Sequence, residues 1–197
     1  EEDEHGTYIF NSKDLCLIHR IPDLYEAGID SLKIEGRMKS VHYCATVAKV
    51  YRTAIDTYLK EGKDWYVRPE WIAELEKISH RPYTDGFAEG RPDETAQNYG
   101  KSTNTQSHDF IGLVIGYNEE EKYVDLEQRN NFKVGDKVEF CQPKGELVET
   151  VIEKMTDEDG NPIDVAPHAQ MKVRIYMDTP LEPYSMMRRE CKPKEDE

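Results

Sequence analysis

The stretch Gly28-Ile29-Asp30-Ser31-Leu32-Lys33-Ile34-Glu35-Gly36-Arg37-Met38-Lys39-Ser40 decides how the first half of the chain is read. Its alternation predicts a short buried strand over residues 31–35 that stops at Gly36 and feeds a long helix. Side chains alternate across a strand, so Leu32 and Ile34 take one face and Lys33 and Glu35 the other. Charges on one face of a buried strand need partners, because an unpaired buried charge is costly. An α/β barrel offers such a place, since its strand ends carry catalytic groups into a polar mouth. Arg37 and Lys39 follow in the βα loop, where phosphates and carboxylates are held. Lys33, Glu35 and Arg37 are therefore the candidate catalytic residues, and Lys39 a candidate substrate-binding residue. The alternative is a structural Lys–Glu pair followed by a basic helix cap.

On the N-terminal side, the run Gly6-Thr7-Tyr8-Ile9-Phe10 is β-branched and aromatic and suits a strand. It ends in the polar cluster Asn11-Ser12-Lys13-Asp14, at the mouth end of that strand, with Cys16 just beyond. Asn11 and Lys13 join Lys39 as candidate substrate-binding residues. A helix is expected from Ile21-Pro22, with Pro in the first turn and Gly28 as its stop. On the C-terminal side, Ser40 is a good N-cap for a helix over residues 41–59. Val41, Ala45, Ala48, Tyr51 or Arg52, Ile55 and Tyr58 recur there at helical spacing and are expected to face the core. The order β-α-β-α implies parallel strands with crossover helices. The expected fold class is therefore α+β, beginning with the last two βα units of an α/β (TIM-type) barrel.

Further along, residues 68–79 predict another helix, with Pro69 at its start and Trp71, Ile72, Leu75 and Ile78 on one side. Residues 1–79 are thus assigned to the α/β-barrel part. Residues 80–107 are rich in Gly, Pro, Asn, Thr and Ser and read as a linker or arm, with Arg81-Pro82-Tyr83-Thr84-Asp85-Gly86-Phe87 its most ordered-looking piece. From Asp109 the pattern changes to period two. Strands are expected over 110–117, 122–127, 137–140, 147–155 and 171–177, with tight turns such as Val134-Gly135-Asp136 between them. Short strands with regular turns predict a small antiparallel β-barrel over residues 108–190, followed by a charged, disordered tail at 191–197. Asp157-Glu158-Asp159-Gly160-Asn161 tempts a calcium reading, but an EF-hand loop wants Gly sixth and Glu twelfth, so a hairpin turn is expected.

Composition narrows the function. The net charge of −14 over 197 residues argues against nucleic-acid binding by the whole surface, while leaving room for a local basic mouth. No apolar run approaches the roughly 20 residues that span a bilayer. The start, Glu1-Glu2-Asp3-Glu4-His5, resembles no signal peptide and has no initiator Met. A cytoplasmic protein without membrane contact is expected, read from a chain that begins mid-gene. The four cysteines, Cys16, Cys44, Cys141 and Cys191, are scattered, which supports neither a disulfide framework nor a closed zinc site. No HExxH or GxSxG motif is present.

The motifs Asn11-Ser12-Lys13-Asp14-Leu15-Cys16, Ser31-Leu32-Lys33-Ile34-Glu35-Gly36-Arg37-Met38-Lys39-Ser40 and Tyr51-Arg52-Thr53-Ala54-Ile55-Asp56 strongly resemble peptidase family U32, the collagenase-like proteases. His80-Arg81-Pro82-Tyr83-Thr84 with Gly86-Phe87 is similar to the family's connector. Residues 109–189 resemble its C-terminal β-barrel domain, which is weakly similar to a barrel of translation factors. The resemblance covers nearly the whole chain but only the family's C-terminal half. It implies a tRNA-modifying enzyme that hydroxylates a wobble uridine, with an anionic cosubstrate such as prephenate. Relatives are implicated in ribosomal RNA hydroxylation and in oxygen-independent ubiquinone synthesis. It also implies an iron-sulfur cluster on four cysteines in the full-length parent, with Cys16 the last ligand and the others upstream. No cofactor is expected on this chain alone. From the residues themselves, Cys16 reads first as a small buried core residue, the commonest fate of a free Cys.

Three functions follow. The first is a redox tRNA-hydroxylating enzyme, represented by its C-terminal part. In it Lys172, Arg174, Arg188 and Arg189 would add phosphate contacts, or would form a solvated strand face. The second is a collagenase-like peptidase acting on a protein substrate, with a water activated by Glu35. The third is a non-catalytic binding barrel, with the isolated chain inactive. The unpaired strands at 7–10 and 32–35 also predict a homodimer or a loosely held first 60 residues.

Overall fold

The computed structural model describes residues 12–91 and 105–191, together with the backbone of two short strands near the start. The chain divides into two compact units, residues 1–106 and 107–197.

In the first unit, strands β1 (Glu2–Asp3) and β2 (Gly6–Thr7) pair antiparallel. Strand β3 (Asp14–Leu15) leads through a 3-10 turn at Ile18–Arg20 into helix α1 (Ile21–Glu26), which carries Pro22 in its first turn. After Gly28, whose φ of +75° suits glycine, the chain runs without regular structure to Ser40. There the Ser40 hydroxyl accepts the Tyr43 N–H and starts helix α2 (Val41–Glu61). A 3-10 turn (Gly62–Asp64) and helix α3 (Pro69–Glu76) follow. The chain then returns as β4 (Tyr83–Thr84), parallel to β3. The core joins Cys16, Ile18 and Ile21 to Val47, Val50 and Ala54 of α2 and to Trp71, Leu75 and Ile78.

Several expectations are corrected here. Residues 31–35 form no strand and are exposed, Leu32 at 37% and Ile34 at 40%. A strand needs a neighbour for its backbone groups, and among the described residues none pairs with this segment. The parallel partner of β3 is instead β4, reached by a crossover through all three helices, so the two barrel-type βα units are not seen. Of the 6–10 strand, Gly6–Thr7 is present, antiparallel to β1, and residues 8–10 lie outside the described residues. The buried face of α2 is also displaced. His42, Thr46, Val47, Val50 and Ala54 point inward while Val41 and Ala48 are exposed. Two polar residues thus sit on the face that packing selects.

The second unit is built from β5 (His108–Asn118), β6 (Tyr123–Gln128), β7 (Phe132–Lys133), β8 (Lys137–Cys141), β9 (Val148–Val151), β10 (Met155–Asp157), β11 (Val165–Ala166), β12 (Lys172–Tyr176) and β13 (Met186–Glu190). Seven of these form one antiparallel sheet in the order β10-β12-β6-β5-β13-β8-β9, and β7 pairs with β11. The sheet is necessarily curled. Its edge strands β9 and β10 are joined by residues 152–154, so Val151 and Met155 lie at most about 14 Å apart. A flat sheet would separate its edges by six spacings, about 29 Å. Among the described residues the two edges are not laddered to each other, so the sheet is an open, curled one. The expected single strand at 147–155 is in fact these two edges. Ile152 turns between them, fully buried, and exchanges backbone hydrogen bonds with Gly135 and Asp136. The interior is filled by Ile111, Val114, Val124, Leu126, Phe132, Phe140, Ile152, Val173, Ile175 and Met187. At 157–161 the Asp157 carboxylate accepts N–H groups of Asp159 and Asn161, closing a turn on itself. No helix among the described residues is long and apolar enough to cross a membrane.

Candidate functional site

A cleft of about 540 Å³ opens in the first unit between the β3 end, the 31–39 loop and helix α2. It gathers most of the residues that the sequence singled out. Lys33, Glu35, Arg37 and Lys39 line it from the loop, and Cys16 lines it from the end of β3. Lys13 is half-buried beside the cleft but does not line it, and Asn11 lies outside the described residues.

The floor is held by Asp14. Its carboxylate accepts two hydrogen bonds from the Arg81 guanidinium, at 2.9 and 2.8 Å, and one from the Arg81 N–H at 3.1 Å. Lys39 approaches the same carboxylate at 3.5 Å, donates to the Ser79 carbonyl at 3.1 Å and lies 5.0 Å over the Tyr43 ring. Burial would raise the Asp14 pKa, but the Arg81 hydrogen bonds and the Lys39 charge outweigh it and hold the group below its ordinary value. Parallel β3–β4 pairing places these groups, because the Asp14 N–H donates to the Pro82 carbonyl and the Cys16 N–H to the Thr84 carbonyl.

Cys16 is buried, and its sulfur receives the Tyr51 hydroxyl at 3.6 Å. The same hydroxyl oxygen accepts the Leu17 N–H at 2.9 Å. Burial first, and then the neighbouring Cys16, push the Tyr51 and Tyr83 phenols well above their ordinary range. Tyr43 moves the same way, through burial and then Asp14. The three phenols therefore stay protonated and neutral at physiological pH.

The loop is different in character. Lys33, Glu35 and Arg37 are exposed, and the Glu35 carboxylate accepts the Arg37 N–H at 2.8 Å rather than facing the floor. The sequence therefore gives the rim and two floor residues, Cys16 and Lys39, but not the groups that meet them there. Asp14, Tyr51, Arg81 and Tyr83 stand in the quoted motifs and Tyr43 beside one, but none carried a site role, and their convergence depends on contacts up to 67 residues apart.

The second unit answers for the other cations. Arg188 is fully buried and donates to Glu139 at 2.7 Å, Lys172 meets Glu127 at 2.8 Å, and Arg189 meets Asp136. Arg174 lies 3.7 Å from Asp125. Each has a carboxylate neighbour, as a solvated or packed strand face requires.

An iron-sulfur cluster takes four thiolates. Among the described residues no group of three or more His, Cys, Asp or Glu is placed to hold a metal ion, and Cys141 and Cys191 belong to the other unit. The residues of this chain do not by themselves fit such a cluster.

Comparison with known proteins bears on what this cleft belongs to. The family description "Peptidase family U32" matches residues 1–98, and "Peptidase family U32 C-terminal domain" matches residues 106–188. The chain is 44% identical over 187 residues to tRNA hydroxylation protein P1 of Bacillus subtilis, covering 95% of this chain and 44% of that protein. It is 30% identical over 156 residues to a collagenase of Porphyromonas gingivalis, covering 78% of this chain and 43% of that protein. A solved C-terminal domain described as that of a U32 peptidase, from Geobacillus thermoleovorans, shares 47% identity at a TM-score of 0.40, covering 41% of this chain and 99% of that one. The chain thus spans less than half the length of the two full relatives. With both regions of the family matched in order along it, the chain belongs to peptidase family U32.

Proposed function

We propose that the chain is the C-terminal portion of a tRNA-hydroxylating protein, acting on the wobble uridine when the protein is complete. The observation that carries this reading is the 44% identity, over 95% of the chain, to a protein named for tRNA hydroxylation. The cleft is compatible with it, since its loop offers cations to an anionic polymer in a chain that is otherwise strongly acidic. The peptidase reading draws on the collagenase relative at lower identity. Among the described residues the cleft lining offers no histidine as a base to Cys16 or Ser31, so this part of the chain adds no support to it.

The test uses a host lacking the full-length gene, rescued with the full-length protein or its Cys16→Ala form. tRNA nucleosides are analysed by mass spectrometry. Hydroxyuridine derivatives should vanish on deletion and return only when Cys16 is intact. Nucleosides unchanged by deletion would overturn the reading and make proteolysis the next assay.

A further inference from the structure

The cleft is divided by charge. Its two floor cations are already committed: Arg81 to Asp14, and Lys39 to Asp14, the Ser79 carbonyl and the Tyr43 ring. Around them burial keeps the phenols of Tyr43, Tyr51 and Tyr83 protonated and uncharged, beside Leu24, Val47, Leu75 and the Cys16 sulfur. The cations still available lie outside, on the exposed loop. Among the described residues neither Lys33 nor Arg37 makes an ion pair.

A small anion would seek a buried cation that still lacks counter-charge, and the floor offers none. A neutral, planar ring suits the interior, provided that its negative charge stays at the rim. That is the shape of a nucleotide within a polymer, whose base is uncharged and whose phosphates flank it. Enzymes that act on a base must take it out of the stack into a pocket, and single-stranded loops are the RNA whose bases are free to enter. The volume of about 540 Å³ falls within the range that accommodates a small ligand.

We propose that the cleft takes the base of one unstacked nucleotide of single-stranded RNA, with Lys33 and Arg37 on the phosphates either side of it. This rests on the tRNA reading above and assigns it a subsite. The acidic remainder of the chain, at a net −14 overall, repels RNA, so the affinity comes from few contacts. Two phosphates on a single strand give a fall in log K of about 1.4 per decade of salt, about 0.7 for each.

The experiment uses this 197-residue chain and a fluorescein-labelled, single-stranded heptaribonucleotide with a central uridine. A duplex of the same sequence, uridine 5′-monophosphate and malonate serve as competitors. The single strand should bind with the slope above. Lys33→Gln and Arg37→Gln should each weaken binding several-fold and remove about 0.7 from the slope. Leu32→Trp, placed on the exposed loop where folding is not at stake, narrows the cleft and should weaken binding with the slope unchanged. Uridine monophosphate should compete, and malonate at equal ionic strength should not.

The proposal is overturned by any of three results: no binding at low salt, duplex bound as tightly as single strand, or malonate competing as well as the nucleotide. That last result would make the cleft a simple anion site. Failure of the subsite and failure of the tRNA reading are separable. Absent binding with nucleosides that respond to gene deletion removes the subsite alone. Binding as described, with nucleosides that never change, keeps the RNA subsite and removes the hydroxylation reading.

Discussion

Tyr51 of helix α2 donates its phenolic proton to the sulfur of Cys16 across 3.6 Å, joining residues 35 positions apart. Its oxygen also accepts the Leu17 N–H, so one hydroxyl satisfies a backbone donor and orients a sulfur at the cleft floor. Burial keeps this phenol protonated, so it retains the proton that it gives to the sulfur.

Tyr51→Phe preserves the ring and removes both bonds. The half-buried Leu17 N–H then loses its acceptor, at a cost of about 1–2 kcal/mol. Both tryptophans, Trp65 and Trp71, lie in the first unit, so their fluorescence follows that unit alone in a urea titration. The midpoint should fall while the slope stays the same. An unchanged midpoint would mean that Leu17 finds water instead.

Asp14 predicts the acid limit of the same unit. Its folded pKa lies below the ordinary value of 3.8, so the stability it contributes is fully present above that value. As pH falls through the lowered folded pKa, the carboxylate protonates and Arg81 and Lys39 lose their counter-charge. Tryptophan-monitored stability should therefore drop below about pH 4. In Asp14→Asn the unit should be weaker at neutral pH and its acid dependence flatter. Parallel pH curves for the two proteins would show that Asp14 is not the group responsible.

Local chemistry was legible in the sequence, and pairing was not. Ser40 as an N-cap, Pro69 at the start of α3 and the Val134-Gly135-Asp136 turn all act within a few residues, and each stands where the pattern put it. The 31–35 segment has a strand's alternation but lacks a partner among the described residues, and alternation cannot supply one. Strand β13 was overlooked for the opposite reason. Its Arg188-Arg189 pair reads as surface, yet β13 lies between β5 and β8 with Arg188 fully buried on Glu139. The rim of the cleft was legible because its charges recur at every second position of one short stretch, Lys33, Glu35, Arg37 and Lys39. The pairing that builds its floor was not, because Asp14 meets Arg81 only after three helices have packed.

Arg188 and Glu139 give the second unit its own test. Glu139 accepts from Arg188 at 2.7 Å, and the half-buried His108 ring lies 3.0 Å from the same carboxylate. Removing one partner takes a close countercharge from the other in a buried setting, so Glu139→Leu should cost about 3–5 kcal/mol and Arg188→Met less, because His108 still faces the Glu139 carboxylate. The double variant removes both charges and should lose much less than the sum of the two. Amide exchange of β5, β8 and β13 measures this without interference from the first unit. Additive losses would show that the two side chains act independently.

Gly36 and Cys44 tie the cleft's loop to helix α2. A Cβ at position 36 would lie 2.5 Å from the Cys44 sulfur, closer than real contacts allow. That sulfur also lies 3.7 Å from the Gly36 carbonyl as a weak donor. Gly36→Ala should therefore push the loop away from α2 and carry Lys33 and Arg37 with it. Cys44 is exposed and can partly yield, so the cost in stability should be only about 1 kcal/mol. The effect on the heptaribonucleotide should be larger, a several-fold loss of affinity. Cys44→Ala removes the obstructing sulfur, and the double variant should recover most of that loss. If Gly36→Ala binds RNA normally, the loop position does not set the rim charges. If Cys44→Ala fails to rescue, the obstruction lies elsewhere than at this sulfur.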